Sequence, residues 1–490
     1  MINFKNKTGE NFIAKLALAV CAFFSCMYIF FIMHNAEWIF VDNWEFMITV
    51  CKKIPKSPLM QISQGRFFVH YDYNILLLTP FYDNIHAYYV INILEYIIFS
   101  IFMYFTAKEI CYRVKSDYPI SENMFYTIFA FVYMVLHCVI VKVFLDIVYP
   151  EKFLITLLSC ITYFLLLSER TEKIRFAVIA VILGVMATYL KEPVFGLLLV
   201  IGFCLFLGNF KTLKKWQITL LTGYVINAIV YVSLYLYFCG KYKNHEFFAY
   251  GHLYGSRLSA LIFLLLRYKA LIIISIIGLT EIIKFFRNCK IEWQFSVINT
   301  FSVASLAYFG AFYILRLWFD YYFYPCYFLI APSIILLSCK FIYDFQISYK
   351  GKVISQILIL FTFFIIALFP ALHIFRRETS NINHQRTTEF AALKQVAQRV
   401  RSGGNVYLLD TKNDNSNDLS FKLPLSLVLT KHINFINKTD NFNFTIVNKL
   451  PQILKDTDVI LAEDQISELD SNSDYEKIYF WFHPTYIKKD

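Results

Sequence analysis

Long apolar runs separated by short polar connections occupy most of the first 373 residues. A helix needs roughly 20 apolar residues to cross a bilayer, and that length criterion predicts about 11 spans. They fall near 14–33, 87–107, 124–145, 153–168, 175–190, 194–209, 217–239, 270–286, 294–315, 323–340 and 353–373. One set of connections is short and basic: Lys108/Arg113/Lys115, Arg170/Lys173/Arg175, Lys211/Lys214/Lys215, Lys284/Arg287/Lys290 and Lys340/Lys350/Lys352. Lysine and arginine accumulate in loops on the cytoplasmic side, so this set marks that face. Lys5, Lys7 and Lys15 precede the first span with no small-residue cleavage site after it, which predicts an uncleaved span that starts in the cytoplasm.

The other connections then share the opposite face: the loop 34–86, the turns 146–152 and 191–193, the segment 240–269, the turn 316–322 and everything after Arg376. From about Glu378 the composition shifts to Asn, Asp, Lys, Thr and Ser. Segment 389–402 reads as a helix stopped by Gly403-Gly404. Val406–Leu409, Phe444–Val447, Asp458–Ala462 and Ile478–Phe482 read as short buried strands. The expected organisation is a transmembrane domain over 1–375 with a large first loop, followed by a small extracytoplasmic α/β domain over 376–490. The fold class is thus an α-helical polytopic membrane protein with a C-terminal α/β appendage.

Composition agrees with that class. Of the 490 residues 58% are hydrophobic, and 52 Phe and 35 Tyr mean that aromatic bulk fills much of the lipid-facing and packing surface. The net charge of +11 does not call for nucleic acid, because its basic residues sit in short clusters between spans and form no phosphate-tracking face. The 11 cysteines are scattered singly without CxxC spacing, as small packing residues would be. No P-loop, dinucleotide fingerprint or nucleophile elbow occurs, and neither a cofactor nor a metal is called for.

Candidate chemistry gathers on the face away from the basic loops. Phe40-Val-Asp-Asn-Trp-Glu-Phe46 puts Asp42 and Glu45 three residues apart beside Trp38 and Trp44, which would hold the loop at the membrane surface. A carboxylate near hydrocarbon is costly and therefore a functional candidate; the alternative is that Asp42 caps an interfacial helix. Arg66, in Gly65-Arg-Phe67, suits bidentate phosphate binding, or a pair with Asp72 or lipid head groups. Asp146 and Glu151 offer a second carboxylate, although Lys142 and Asp146 at i, i+4 also fit a simple helical pair. In Tyr189-Leu-Lys-Glu-Pro193 the proline and the adjacent charges force a turn, where Lys191 would either point at a phosphate in a cleft or merely end a helix, with Glu192 beside it. His252 and Arg257 lie in a polar aromatic stretch without metal-ligand spacing and fit solvated or head-group-facing loop residues, and Arg316 suits either lipid-phosphate recognition or a simple pair with Asp320.

With Val41-Asp-Asn-Trp-Glu45, an acidic site after the third span, a Lys-Glu turn before the sixth and a polar C-terminal domain, the chain resembles the GT-C class of integral-membrane glycosyltransferases. Gly-Arg-Phe in the first loop looks most like bacterial O-antigen serotype-converting glucosyltransferases. The resemblance implies a polyprenyl-phosphate hexose, glucose by preference, as donor and a hydroxyl of a lipid-linked or surface glycan as acceptor. It also implies a bacterial inner membrane with the active site facing the periplasm. Asp42 would deprotonate the acceptor, with Glu45 as the other choice, and Lys191, Arg257 and Arg316 would hold the departing phosphate. Two other readings compete: an O-antigen polymerase or ligase, and a lipid-linked glycan transporter. The absence of an internal repeat and the one-sided candidates speak against transport.

Overall fold

The structure is a computed structural model. It describes residues 2–34, 71–118, 120–140, 143–144, 147, 150–241, 257–267, 270–288, 296–314, 320–348, 372–373, 376–377, 380, 391–409, 433–434, 436–437, 445–447, 449–450, 454–462, 466–480 and 483–489. They divide into two compact units, a helical one through residue 373 and a second from Arg376 onward.

The helical unit consists of α1 (Ile2–His34), α2 (Tyr71–Leu77), α3 (Ile85–Asp117), α4 (Glu122–Ile140), α5 (Glu151–Thr171), α6 (Ile174–Thr188), α7 (Val194–Gly208), α8 (Lys215–Lys241), α9 (Arg257–Arg267), α10 (Ala270–Asn288), α11 (Val297–Ile314) and α12 (Tyr324–Ser348). Ten of the expected spans coincide with these helices, while 353–373 lies outside the described residues apart from Leu372 and His373. Among the described helices six are long and apolar enough to cross a bilayer: 14–34 of α1, α3, α5, 215–238 of α8, α11 and 324–344 of α12. The chain is a multi-pass membrane protein. Helices α6 and α7, at 15 residues each, reach only about 22 Å at 1.5 Å per residue.

α5 forms the centre of the bundle. Its apolar window is 83% buried, against 28% for that of α8, whose Ile226, Ile229 and Leu236 point outward. α3, α6 and α12 pack around α5, and α11 joins α7 to α12. Ala177, Ala180, Gly184 and Ala187 form a buried small-residue stripe on α6 that lets α8 approach. A Cβ on Gly223 of α8 would lie 2.7 Å from both methyl carbons of Val181.

Charge pairs reveal how the helices run. Lys152 at the start of α5 meets Asn92 near the start of α3, and Arg170 at its end meets Glu109 near the end of α3. The two helices are therefore parallel. Arg170, Arg113 and Lys214 share one end of the bundle through the pairs Arg170–Glu109, Arg113–Glu169 and Lys214–Glu172, so these three basic connections lie together. Glu151, Lys152 and Lys191 lie at the opposite end.

The C-terminal unit has α13 (Ala391–Arg401), β1 (Val406–Leu409), β2 (Thr445–Val447), β3 (Val459–Ala462), α14 (Ser467–Asp470), β4 (Tyr475–Phe480) and β5 (His483–Lys488). Its sheet has the order β2-β1-β3-β5-β4, parallel across the first three strands and antiparallel at β3–β5 and β5–β4. β3 is buried along its whole length, and Leu409, Ile460, Ala462, Leu469 and Tyr486 form the core. The expected fourth strand begins three residues earlier, at Tyr475, and β5 was not anticipated. Helix α13 ends as its glycines require: Gly403 takes φ +88°, its N–H donates to the Val400 carbonyl, and the Gly404 N–H donates to the Arg399 carbonyl.

Two predictions follow from this unit's geometry. A Cβ at Gly404 would sit 1.9 Å from the Thr457 carbonyl oxygen, which is backbone and cannot turn away. Gly404→Ala should cost about 1–3 kcal/mol locally, read in the full-length protein as about tenfold or faster hydrogen exchange of the β1 and β3 amides. Separately, the Lys477 hydrogen bond holds the Asp470 carboxyl below the usual carboxylate range, as Lys488 does for Asp456. A carboxyl lowered on folding stabilises above its ordinary value near 4, and that contribution vanishes as pH falls through the lowered one. Protection factors of β4 and β5 should drop below pH about 4, and Lys477→Gln with Lys488→Gln should flatten that acid limb.

Candidate functional site

Two prolines start the helices that carry the site. Pro150 opens α5 with φ −66° and its carbonyl accepts from the Leu154 N–H; Pro193 opens α7 with φ −69° and accepts from the Leu197 N–H. Proline suits this position because its fixed φ is already helical and it has no N–H to leave unpaired. Each proline has charged neighbours: Glu151 and Lys152 follow the first, Lys191 and Glu192 precede the second.

Consecutive residues on a helix point about 100° apart. Glu151 and Lys152 thus leave the first turn of α5 in different directions, and each finds a buried partner.

Lys152, 1% exposed, donates to Asp72 Oδ2 at 3.1 Å, to Asn92 Oδ1 at 2.6 Å and to the Ile147 carbonyl at 2.9 Å. These three bonds use all three ammonium donors. Asp72 accepts the Tyr73 N–H on its other oxygen, and Asn92 Nδ2 donates to the Phe144 carbonyl at 2.9 Å. The cation therefore ties α2, α3 and the 143–147 connection to the start of α5. One turn along α3, buried Glu95 accepts from the Tyr71 hydroxyl, and its second oxygen has no hydrogen-bond partner among the described residues. The Tyr71 ring stacks on Phe153 at 4.4 Å.

On the other side Glu151 Oε1 accepts from Lys191 Nζ at 2.6 Å, and both side chains are at most 3% exposed. The ammonium also lies 4.2 Å from the centre of the Tyr322 ring, within cation–π range. Glu151 Oε2 has no hydrogen-bond partner among the described residues. Glu192 is half-buried.

Of the residues singled out by sequence, Glu151 and Lys191 are brought together as an ion pair, with Glu192 next to them. Arg257 opens α9. Asp42, Glu45, Arg66, Asp146, His252 and Arg316 lie outside the described residues, as does Lys142. Asp72, weighed as a partner for Arg66, is engaged by Lys152.

Sequence reasoning passed over Lys152, Asn92, Glu95, Tyr71 and Tyr322. One signal was present: Glu95 is a charge inside an apolar span, where an ionisable group is a functional candidate by default. Asn92 and Tyr322 carried no such mark. Among the described residues no group of three or more His, Cys, Asp and Glu could hold a metal ion.

No protein-family model matches the chain, and no curated protein sequence does. A crystal structure of ArnT from Cupriavidus metallidurans in the apo state superposes over 88% of this chain and 91% of that one, with a TM-score of 0.44 and 10% identity. So loose a likeness fixes no chemistry.

Removing one partner from a buried ion pair strands the other charge. Lys152→Met should therefore lower stability by about 3–5 kcal/mol, while Lys152→Met combined with Asp72→Asn should recover part of the loss. Thermal unfolding of the detergent-purified protein would check this double-mutant cycle; additive losses would refute the coupling.

Proposed function

We propose that the chain is a membrane glycosyltransferase that moves a sugar from a polyprenyl phosphate to a hydroxyl of a lipid-linked or surface glycan. The observation that carries this reading is the Lys191–Glu151 pair: a cation wholly buried in a membrane bundle, at the end away from Arg113, Arg170 and Lys214. Buried ionisable groups at membrane depth are expensive and mark sites of function.

Lys191 has three N–H donors. One goes to Glu151 and the ring of Tyr322 steadies the ammonium from another side, so further donors can serve a phosphate oxygen. Glu151 holds the ammonium and fixes its direction. In the reaction the acceptor oxygen attacks C1 of the sugar while the bond from C1 to the phosphate oxygen breaks. The acceptor proton passes to Asp42, with Glu45 as the other carboxylate in that loop. The departing polyprenyl phosphate is neutralised by Lys191, together with Arg257 and Arg316, where charge develops in the transition state. A single displacement inverts the anomeric centre, and side-chain cations make a metal unnecessary. Arg66, Asp146, Glu192 and His252 are assigned to the walls of the substrate cleft. The hexose, glucose by preference, and an O-antigen acceptor on the periplasmic face of a bacterial inner membrane complete the reading.

The test is sugar transfer in membranes from labelled polyprenyl-phosphate glucose to isolated surface polysaccharide. Asp42→Asn or Glu45→Gln at matched expression should lower turnover about 10²–10⁴-fold with donor binding kept, which names the base. Lys191→Met should weaken donor binding as well as turnover. No transfer from any polyprenyl-phosphate sugar, or full activity in both carboxylate variants, would overturn the proposal.

A further inference from the structure

The end of the bundle opposite Lys191 carries a second polar site, which the catalytic reading does not use. A cavity of about 360 Å³ opens there between α3, α5, the start of α8 and the start of α11. Arg113, Glu169, Arg170, Lys214 and Trp216 are among its lining residues. Its size suits a small ligand or a head group.

Its hydrogen-bonding ledger is uneven. The carboxylates are engaged: Glu109 accepts from Arg170 on both oxygens at 2.6 and 2.9 Å, and Glu169 accepts from Arg113 at 3.1 Å and from the Val297 N–H at 2.9 Å. Asp117 lies 3.8 Å from Arg113 Nε. Donors remain in surplus. A guanidinium has five N–H donors, and these bonds engage two on Arg170 and one on Arg113. Lys214 is held by Glu172 at 2.6 Å, but both side chains are more than a third exposed, so that pair is weak and the lysine can turn. Trp216 is 2% exposed, and its indole N–H has no hydrogen-bond partner among the described residues. An indole N–H only donates, so an oxygen acceptor is what this wall lacks. The amino end of α8, where Lys214, Trp216 and Gln217 stand, adds partial positive charge.

A ligand rich in acceptors, poor in donors and negatively charged fits that surplus. We propose that this cavity binds a phosphate group, supplied either by a phospholipid head group of the adjacent leaflet or by free phosphate. The cavity belongs to the bundle end that carries Arg113, Arg170 and Lys214, where basic pockets between helices meet lipid phosphates. Lys214 and the Trp216 N–H act as the recognising groups; Arg113 and Arg170 contribute their remaining N–H donors while staying paired with their carboxylates.

The test uses the full-length protein, delipidated in detergent, with thermal unfolding followed as short-chain phosphatidylglycerol or inorganic phosphate is added. Wild type should gain stability in a saturable way. Trp216→Phe keeps the ring and deletes the N–H, and should weaken the apparent affinity about tenfold; Lys214→Gln should weaken it several-fold. Lys284→Gln, outside the cavity lining, should leave it unchanged. Stabilisation by the lipid alone identifies a head-group site. Stabilisation by both, with inorganic phosphate displacing the lipid, identifies a site for phosphate itself. Because Trp216 is buried, its variant is compared with its own ligand-free unfolding temperature, and the exposed Lys214 provides an independent arm. No stabilisation of wild type by either probe, or wild-type affinity in both Lys214→Gln and Trp216→Phe, would overturn the proposal.

Discussion

The Lys152 ammonium is the constraint around which the helical unit is organised. A lysine buried to 1% exposure in a bundle of apolar helices is tolerated only if its three donors all find acceptors. Asp72, Asn92 and the Ile147 carbonyl supply them, from three different parts of the chain. Satisfying one charge thus fixes where α2, α3 and the connection into α5 must stand. The adjacent Glu151 is then aimed the other way, into α7's leading turn, where it captures Lys191.

The two ends of the bundle solve the same problem differently. At the Lys152 end the charges are deep and few, and two carboxylate oxygens, on Glu95 and Glu151, have no hydrogen-bond partner among the described residues. Such groups are costly in a low dielectric, and they persist where a function needs them. At the other end the ion pairs are half-exposed: Arg170 and Lys214 are more than a third open. The Lys214–Glu172 pair, exposed on both sides, adds little stability and can exchange partners, which suits a surface that meets phosphates. Between the ends, packing rests on small residues and aromatic rings, such as the α6 stripe against α8 and the Phe102 ring 5.7 Å from that of Tyr163.

Much of the fold was legible in the chain. Hydrophobic length located the helices because the backbone has no partner in hydrocarbon except itself, so a long apolar run must be helical. The boundaries were less legible. The fourth strand was expected from Ile478, yet β4 starts at Tyr475, because its pairing with β5 carries the polar Glu476 and Lys477 into the sheet. The C-terminal strands were readable as short apolar runs, whereas β5 was missed because His483-Pro-Thr-Tyr lacks apolar alternation and owes its pairing to β3 and β4. For the site, the turns Tyr189–Pro193 and Tyr149–Lys152 were visible in sequence, and span spacing with charge alternation put both on one face; the pairing of Lys191 with Glu151 came from the structure.

By itself, then, the sequence determined the class of protein, the placement of its helices and the face on which Arg113, Arg170 and Lys214 gather. Those follow from local properties: apolar length, proline position and charge clustering. Only the tertiary structure decided partners. Lys152 with Asp72 spans 80 positions, Lys191 with Glu151 spans 40, and Arg170 with Glu109 spans 61. Pairing over such distances depends on which helices pack side by side and how they are rotated, and no local pattern encodes either.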